Sequence, residues 1–241
     1  MLFRSVSQSR YTLSGAAGTG KTAIIGYLQK YLVEDGYSFA YMAPTHAATA
    51  QLAFATVKTG NKHLPATIAS SITTNPKTGK FVFTAKIKGR LGYRPVVVVD
   101  EASMIGIDNI NKLLEAAKNA GAKVIFMGDE KQIPEVSAEN LKEKPVSPAF
   151  SMFKKSSLTK VFRQTNNSLL NILTETRKQT GFKLFKPNKN SNSVKFLKTK
   201  DFNDELVSAV KADPENTTVI SYTNSSVKII VTGKQIGRAH V

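Results

Sequence analysis

Cysteine and tryptophan are absent from this 241-residue sequence, histidine occurs three times, and acid is scarce, with 17 Asp+Glu against 34 Lys+Arg. Without cysteine there is neither a disulfide framework nor a thiolate metal site, which removes the main support for a small extracellular scaffold. His46, His63 and His240 match no zinc-binding spacing. No apolar run approaches the ~20 residues that span a bilayer, and no secretory segment is read at the start, so a soluble, intracellular protein with no membrane partner is expected. The shortage of acid leaves a net charge of +17, which suits a polyanionic partner better than a metabolic enzyme's near-neutral balance. An apolar content of 41% supplies a core for one large domain, or one domain plus part of a second.

The two ends share an unusual relation. Leu2 to Ser5 can be encoded CTC TTC CGA TCT and Ile236 to Val241 ATC GGA AGA GCA CAC GTC, strings that overlap as reverse complements and resemble a sequencing adapter. Residues 1–5 and 236–241 are therefore expected to be adapter-derived, with authentic sequence from Val6 to Gln235.

Between those ends, strand and helix signals alternate. Tyr11 to Ser14 is strand-like and stops at Gly15; Lys21 to Glu34 carries apolar residues at helical spacing. Ser38 to Met42 reads as a strand and His46 to Val57 as an Ala-rich helix. Val96 to Val99 is a run of β-branched residues, as in a strand buried on both faces. Ile107 to Asn119 is an amphipathic helix with Gly121 at its C-cap, and Lys123 to Met127 a further strand. This order predicts a parallel α/β sheet with ligands at the carboxyl ends of its strands. Asn75 to Arg94 reads as an inserted β-hairpin whose second strand alternates Phe81, Phe83, Ala85 and Ile87. A second block is expected from Phe153, with strand Leu158 to Phe162, helices Asn166 to Gln179 and Phe202 to Lys211, and strand Thr217 to Tyr222.

The polar clusters at these strand ends carry recognisable chemistry. GAAGTGKT (Gly15, Ala16, Ala17, Gly18, Thr19, Gly20, Lys21, Thr22) matches GxxxxGK[ST] between a strand and a helix. Glycines let backbone N–H groups wrap phosphates while the helix N-terminus adds its positive end. Lys21 would reach the β- and γ-phosphates of ATP, and Thr22 would offer its hydroxyl to Mg²⁺. VVVVDEAS then puts Asp100 where it would hold the metal and Glu101 where it would activate water. In GDEKQIPEV, Gln132 would contact the γ-phosphate; in LTKVFRQ, Arg163 would stabilise the transferred phosphoryl group across a cleft. Taken alone, Arg163 also reads as a surface arginine at a strand end.

In order and spacing, GAAGTGKT, APTHAA (Ala43 to Ala48), VVDEASM, GDEKQIPEV and VFRQTN resemble motifs I, Ia, II, III and IV of the Dda/RecD-like superfamily 1 DNA helicases. SYTN (Ser221 to Asn224) resembles the segment that opens the later half of the second motor domain. The resemblance implies a RecA-like P-loop NTPase domain over residues 6–152, with a hairpin insertion near 75–94, followed by part of a second RecA-like domain over 153–235. It implies ATP-dependent movement on single-stranded DNA, 5′ to 3′, with unwinding at a fork. Pro44, Thr45, His46 and Thr67 would touch the DNA strand, although Ala69 stands about where the family often has a histidine. Phe83 would either face the duplex as part of a separation pin or pack in the core. Replication or repair proteins are expected partners of a monomer in the cytoplasm, at the nucleoid or in an infected cell. The family's base-binding segment and motifs V and VI are not found, so this chain alone is expected to be inactive. A non-motor ATPase, in which nucleotide only gates nucleic-acid affinity, stays open as an alternative.

Overall fold

In the computed structural model, residues 9–58, 63–132, 147–162 and 199–215, with 174, 177 and 217, are described. The chain divides into two compact units, Met1–Thr165 and Asn166–Val241. The first is built on a six-stranded, wholly parallel sheet: β1 (Arg10–Gly15), β2 (Tyr37–Ala43), β3 (Ala66–Thr67), β6 (Arg94–Val99), β7 (Lys123–Gly128) and β8 (Lys155–Leu158), in the order β3-β2-β6-β7-β1-β8. The expected α/β class is therefore observed.

The four valines of β6 explain why this sheet is covered on both sides. Successive side chains point to opposite faces. Val97 and Val99 accordingly join a core with Ile110, Leu113 and Phe126, and Val96 and Val98 a second with Ile25 and Leu52. Helices α1 (Lys21–Glu34) and α2 (His46–Val57) cover the second core, whereas α5 (Ile107–Asn119) covers the first. All four valines are fully buried, each stabilising the fold by roughly 1.5–3 kcal/mol relative to exposure. Helix α5 ends as its sequence predicts: Gly121 is left-handed at φ 63, and the Ala120 and Gly121 N–H groups donate to the helix's last carbonyls.

Two expectations need correction. The hairpin is shorter than predicted: β4 (Ile72–Thr74) pairs antiparallel with β5 (Phe81–Phe83), around a turn in which the Asn75 side chain accepts the Lys77 N–H. Beyond it, α3 (Ile68–Ser71) and α4 (Ala85–Lys88) flank the pair. The alternation of Ala85 and Ile87 marks one turn of helix because Thr84 takes the N-cap position, and a four-residue window fits either period. Phe83 pairs with Ile72, points inward and is 1% exposed, so its side chain packs in the α5 core and is not presented to a duplex.

The second correction concerns the domain boundary. The strand expected at Leu158 to Phe162 is Lys155–Leu158, and it pairs with β1 of the first sheet, from Thr12 beside Lys155 to Gly15 beside Leu158. The first unit therefore runs to Thr165, not to Met152. β1 is thereby an interior strand, its backbone paired with β7 on one side and β8 on the other. Within the second unit, α6 (Thr199–Ala212) covers the helix expected from Phe202. The strand from Thr217 to Tyr222 apart from Thr217 itself, SYTN and most of the helix from Asn166 fall outside the described residues. Among the described residues no helix is long and apolar enough to cross a membrane.

Candidate nucleotide site

Three strands deliver this site from their carboxyl ends. β1 stops at Gly15, where a Cβ would sit 2.6 Å from Thr19 Oγ1 and 3.0 Å from the Leu158 carbonyl, so only glycine fits. The loop then turns through left-handed Gly18 and Gly20, at φ 76 and 87. Thr19 is buried and donates its hydroxyl to the Ala16 carbonyl at 2.8 Å, which closes the loop on itself. Helix α1 begins at Lys21 with Gly20 as N-cap and no side-chain cap. Its N-terminal end thus offers backbone donors and positive dipole to an anion. Lys21 Nζ donates to the Gly15 and Ala16 carbonyls at 2.8 and 3.1 Å.

Facing the loop are the acids of β6. The Asp100 N–H donates to the Met42 carbonyl, extending the β2–β6 register, and Asp100 Oδ1 accepts the Glu101 N–H at 2.9 Å. Glu101 is the one non-glycine described residue at positive φ, 52°, a costly conformation that re-aims the chain into the turn Ala102–Met104. Burial raises the pKa of Asp100, against the lowering effects of the Glu101 N–H and of Lys21. Burial also raises that of Glu101, with Asp100 and then Asp129 adding repulsion and Lys21 opposing them. Both carboxyls therefore hold protons more tightly than in water, with Lys21 as the cation that favours their ionised forms.

Between the loop strand and the acid strand lies β7, and its exit carries the third element. At Gly128 a Cβ would meet the Ala102 N at 3.0 Å and Phe150 Cζ at 3.1 Å, so glycine lets the acid turn lie directly against β7. Asp129, 2% exposed, organises the turn that follows. Its Oδ1 accepts the Lys131 N–H at 3.0 Å, and its carbonyl accepts the Gln132 N–H at 3.0 Å. Lys21, Thr22, Asp100, Glu101 and Gln132 thereby line one cavity of about 450 Å³ together with Ala17, Gly18 and Gly20.

Ala48, Gln51, Leu52 and Ala55 of α2 complete the wall, as does Phe162. These residues, like Asp129, were not singled out in the sequence. Their signal was present, because the spacing 48, 51, 52, 55 marks one helical face. Arg163 lies outside the described residues; its neighbour Phe162 donates its N–H to the Gly18 carbonyl at 2.8 Å.

The residues expected at nucleic acid lie at the next strand ends. β3 pairs with β2, Ala43 beside Thr67, so Pro44, Thr45 and His46 adjoin Thr67 at one sheet edge. His46 is exposed and Pro44 partly so. Thr45 caps α2, its hydroxyl accepting the Ala48 N–H at 3.1 Å. Thr67 is 7% exposed, and its hydroxyl donates to Ser70 Oγ and accepts the Ser70 N–H, so that side chain serves α3.

A glycine-wrapped loop at a helix N-terminus, opposed by two acids on a parallel strand and a polar turn on the strand between, defines a P-loop nucleoside-triphosphatase domain of RecA-like α/β architecture. A family model described as AAA domain matches residues 2–199, and the chain belongs to that family. Its sequence is similar to the ATP-dependent DNA helicase dda of Enterobacteria phage T4, with 29% identity over 73% of this chain and 40% of that protein. It is also similar to an uncharacterized protein of Acanthamoeba polyphaga mimivirus, 31% identical over 52% of this chain and 29% of the other. The chain thus spans less than half the length of these relatives. Among solved structures it is similar to the Pif1 helicase from Candida albicans, with TM-score 0.47, 19% identity, and coverage of 92% of this chain and 57% of that one.

Proposed function

We propose that this chain carries the ATP-handling core of a DNA helicase that moves on single-stranded DNA. The observation that supports this most is the single cavity shared by Lys21, Thr22, Asp100, Glu101 and Gln132, one strand over from the sheet edge that bears Pro44, Thr45 and His46. The excess of cations and the name of the phage relative favour DNA as the partner.

The donors fit ATP with Mg²⁺. A carboxylate, Asp100, and a hydroxyl, Thr22, line the cavity with no sulfur or imidazole, the hard-oxygen set that Mg²⁺ takes. No group of three or more His, Asp or Glu among the described residues is placed to hold a metal unaided. That agrees with a cation shared with substrate phosphates, where it would neutralise charge on the phosphoryl oxygens. Lys21 then exchanges the Gly15 and Ala16 carbonyls for phosphate oxygens. Glu101 accepts the proton of the attacking water, its raised proton affinity suiting a base. Gln132, on a turn tied to Asp129, reports the γ-phosphate, and Arg163 supplies charge from the segment after Phe162. Hydrolysis resets the grip of the neighbouring strand ends on DNA and so drives a step.

Affinity for an oligothymidylate, measured with and without a non-hydrolysable ATP analogue, tests this, followed by ATP turnover with and without DNA in the complete protein. A motor gives nucleotide-dependent affinity and DNA-stimulated turnover. Nucleotide-dependent affinity without stimulated turnover would favour a gated switch, and no DNA binding at all would overturn the reading.

A further inference from the structure

The amino-terminal edge of the sheet, away from the nucleotide cavity, gathers charge of one sign. Adjacent strands β6, β7 and β1 begin with Arg94, Lys123 and Arg10. The register sets Lys123 beside Val96 and Arg10 beside Val124, so the three lie within a few residues of one level. With strands ~4.8 Å apart they cross the edge in ~10 Å. Arg10, Lys123 and Lys118 of α5 line a concavity of about 480 Å³ that no carboxylate lines. At the start of β6, next to Arg94, Tyr93 is 89% exposed, and the Arg94 guanidinium lies 5.9 Å from its ring and 5.4 Å from that of Tyr37. Glu34 and Asp35 bound the patch where β2 begins. The negative end of α5, worth about half a charge, suits Lys118, and Arg94 also donates to the Asp35 carbonyl at 3.2 Å.

We propose that this edge is a second contact surface for single-stranded nucleic acid, in which Arg10, Lys118 and Lys123 take backbone phosphates and Tyr93 offers its face to a base. Cations that track phosphates beside an exposed ring are the chemistry of sequence-tolerant strand binding. The proposal rests on the reading of single-stranded DNA as partner and adds a face opposite the nucleotide site.

The test is the salt dependence of binding of a labelled oligothymidylate to the full chain and to the triple variant Arg10→Gln/Lys118→Gln/Lys123→Gln. Losing three phosphate contacts flattens the slope of log K against log salt by about 2 and weakens binding about 100-fold at 0.1 M. Tyr93→Ala weakens binding about five-fold or more with the slope unchanged. Nucleotide affinity and far-UV circular dichroism stay as in the unsubstituted chain, which separates lost contacts from misfolding. A control with equal charge removed elsewhere, Lys30→Gln/Lys58→Gln/Lys154→Gln, has a clearly smaller effect. An unchanged slope in the first variant, or an equal effect of the control, would overturn this surface and leave the DNA reading standing. Failure of the unsubstituted chain to bind oligothymidylate would overturn that reading itself.

Discussion

The two ends of one parallel sheet have opposite characters. At the carboxyl ends Asp100 and Glu101 face a single loop lysine, with Asp129 close enough to repel Glu101, whereas at the amino ends Arg94, Lys123 and Arg10 stand together. The difference shows how a chain of net charge +17 still builds an acidic site. It buries Asp100 and Glu101, where desolvation makes their charge costly, and opposes them with Lys21. Acid at one end suits chemistry on a phosphate, and base at the other a phosphate chain.

The largest expected effect of breaking this contrast is Glu101→Gln in the complete protein. The amide removes the base but keeps the shape, so ATP turnover falls about 10²-fold or more while ATP-analogue affinity stays within a few-fold, read from kcat and equilibrium titration. Next is Asp129→Ala, which frees the Lys131 N–H and loosens the Gln132 turn. It is expected to reduce the preference for an ATP analogue over ADP about as much as Gln132→Ala does. The double variant then adds little, because both changes act on one turn.

Gly128→Ala sharpens the same contrast through packing. The added methyl meets the Ala102 backbone, and overpacking of this kind costs ~1–3 kcal/mol, with a fall in Tm of about 2–4 °C for each kcal/mol in a chain of this size. The smallest effect concerns charge in the nucleotide-free protein. Asp100 and Glu101 have pKa values raised from 3.8 and 4.5 by burial. Their contribution to stability is therefore fully present below those ordinary values and is lost as pH rises through the raised ones. Asp100→Asn is consequently expected to raise Tm at neutral pH, a gain that vanishes below about pH 4 in thermal melts.

Much of this site was legible in the sequence because its signals are local. Gly15 to Thr22, the acids after four valines, and Gln132 four residues after Gly128 each announce a strand end by composition, and the sheet gathers them. Less legible was what depends on distant pairing. Lys155–Leu158, KSSL, carries no apolar run, and only its place beside β1 makes it a strand of the first unit. Phe83 alternates like an exposed hairpin residue, yet pairing with Ile72 and packing on α5 bury it. The α2 wall of the cavity was passed over because its spacing at 48, 51, 52 and 55 reads equally as plain helix packing.

The grip of the glycine loop on a triphosphate through Lys21 is measured directly by equilibrium titration of this chain with a fluorescent ATP analogue, with and without Lys21→Ala. The prediction is saturable binding that the substitution weakens at least ten-fold, with the far-UV circular dichroism unchanged. Binding of equal strength in both proteins, or none in either, would contradict it.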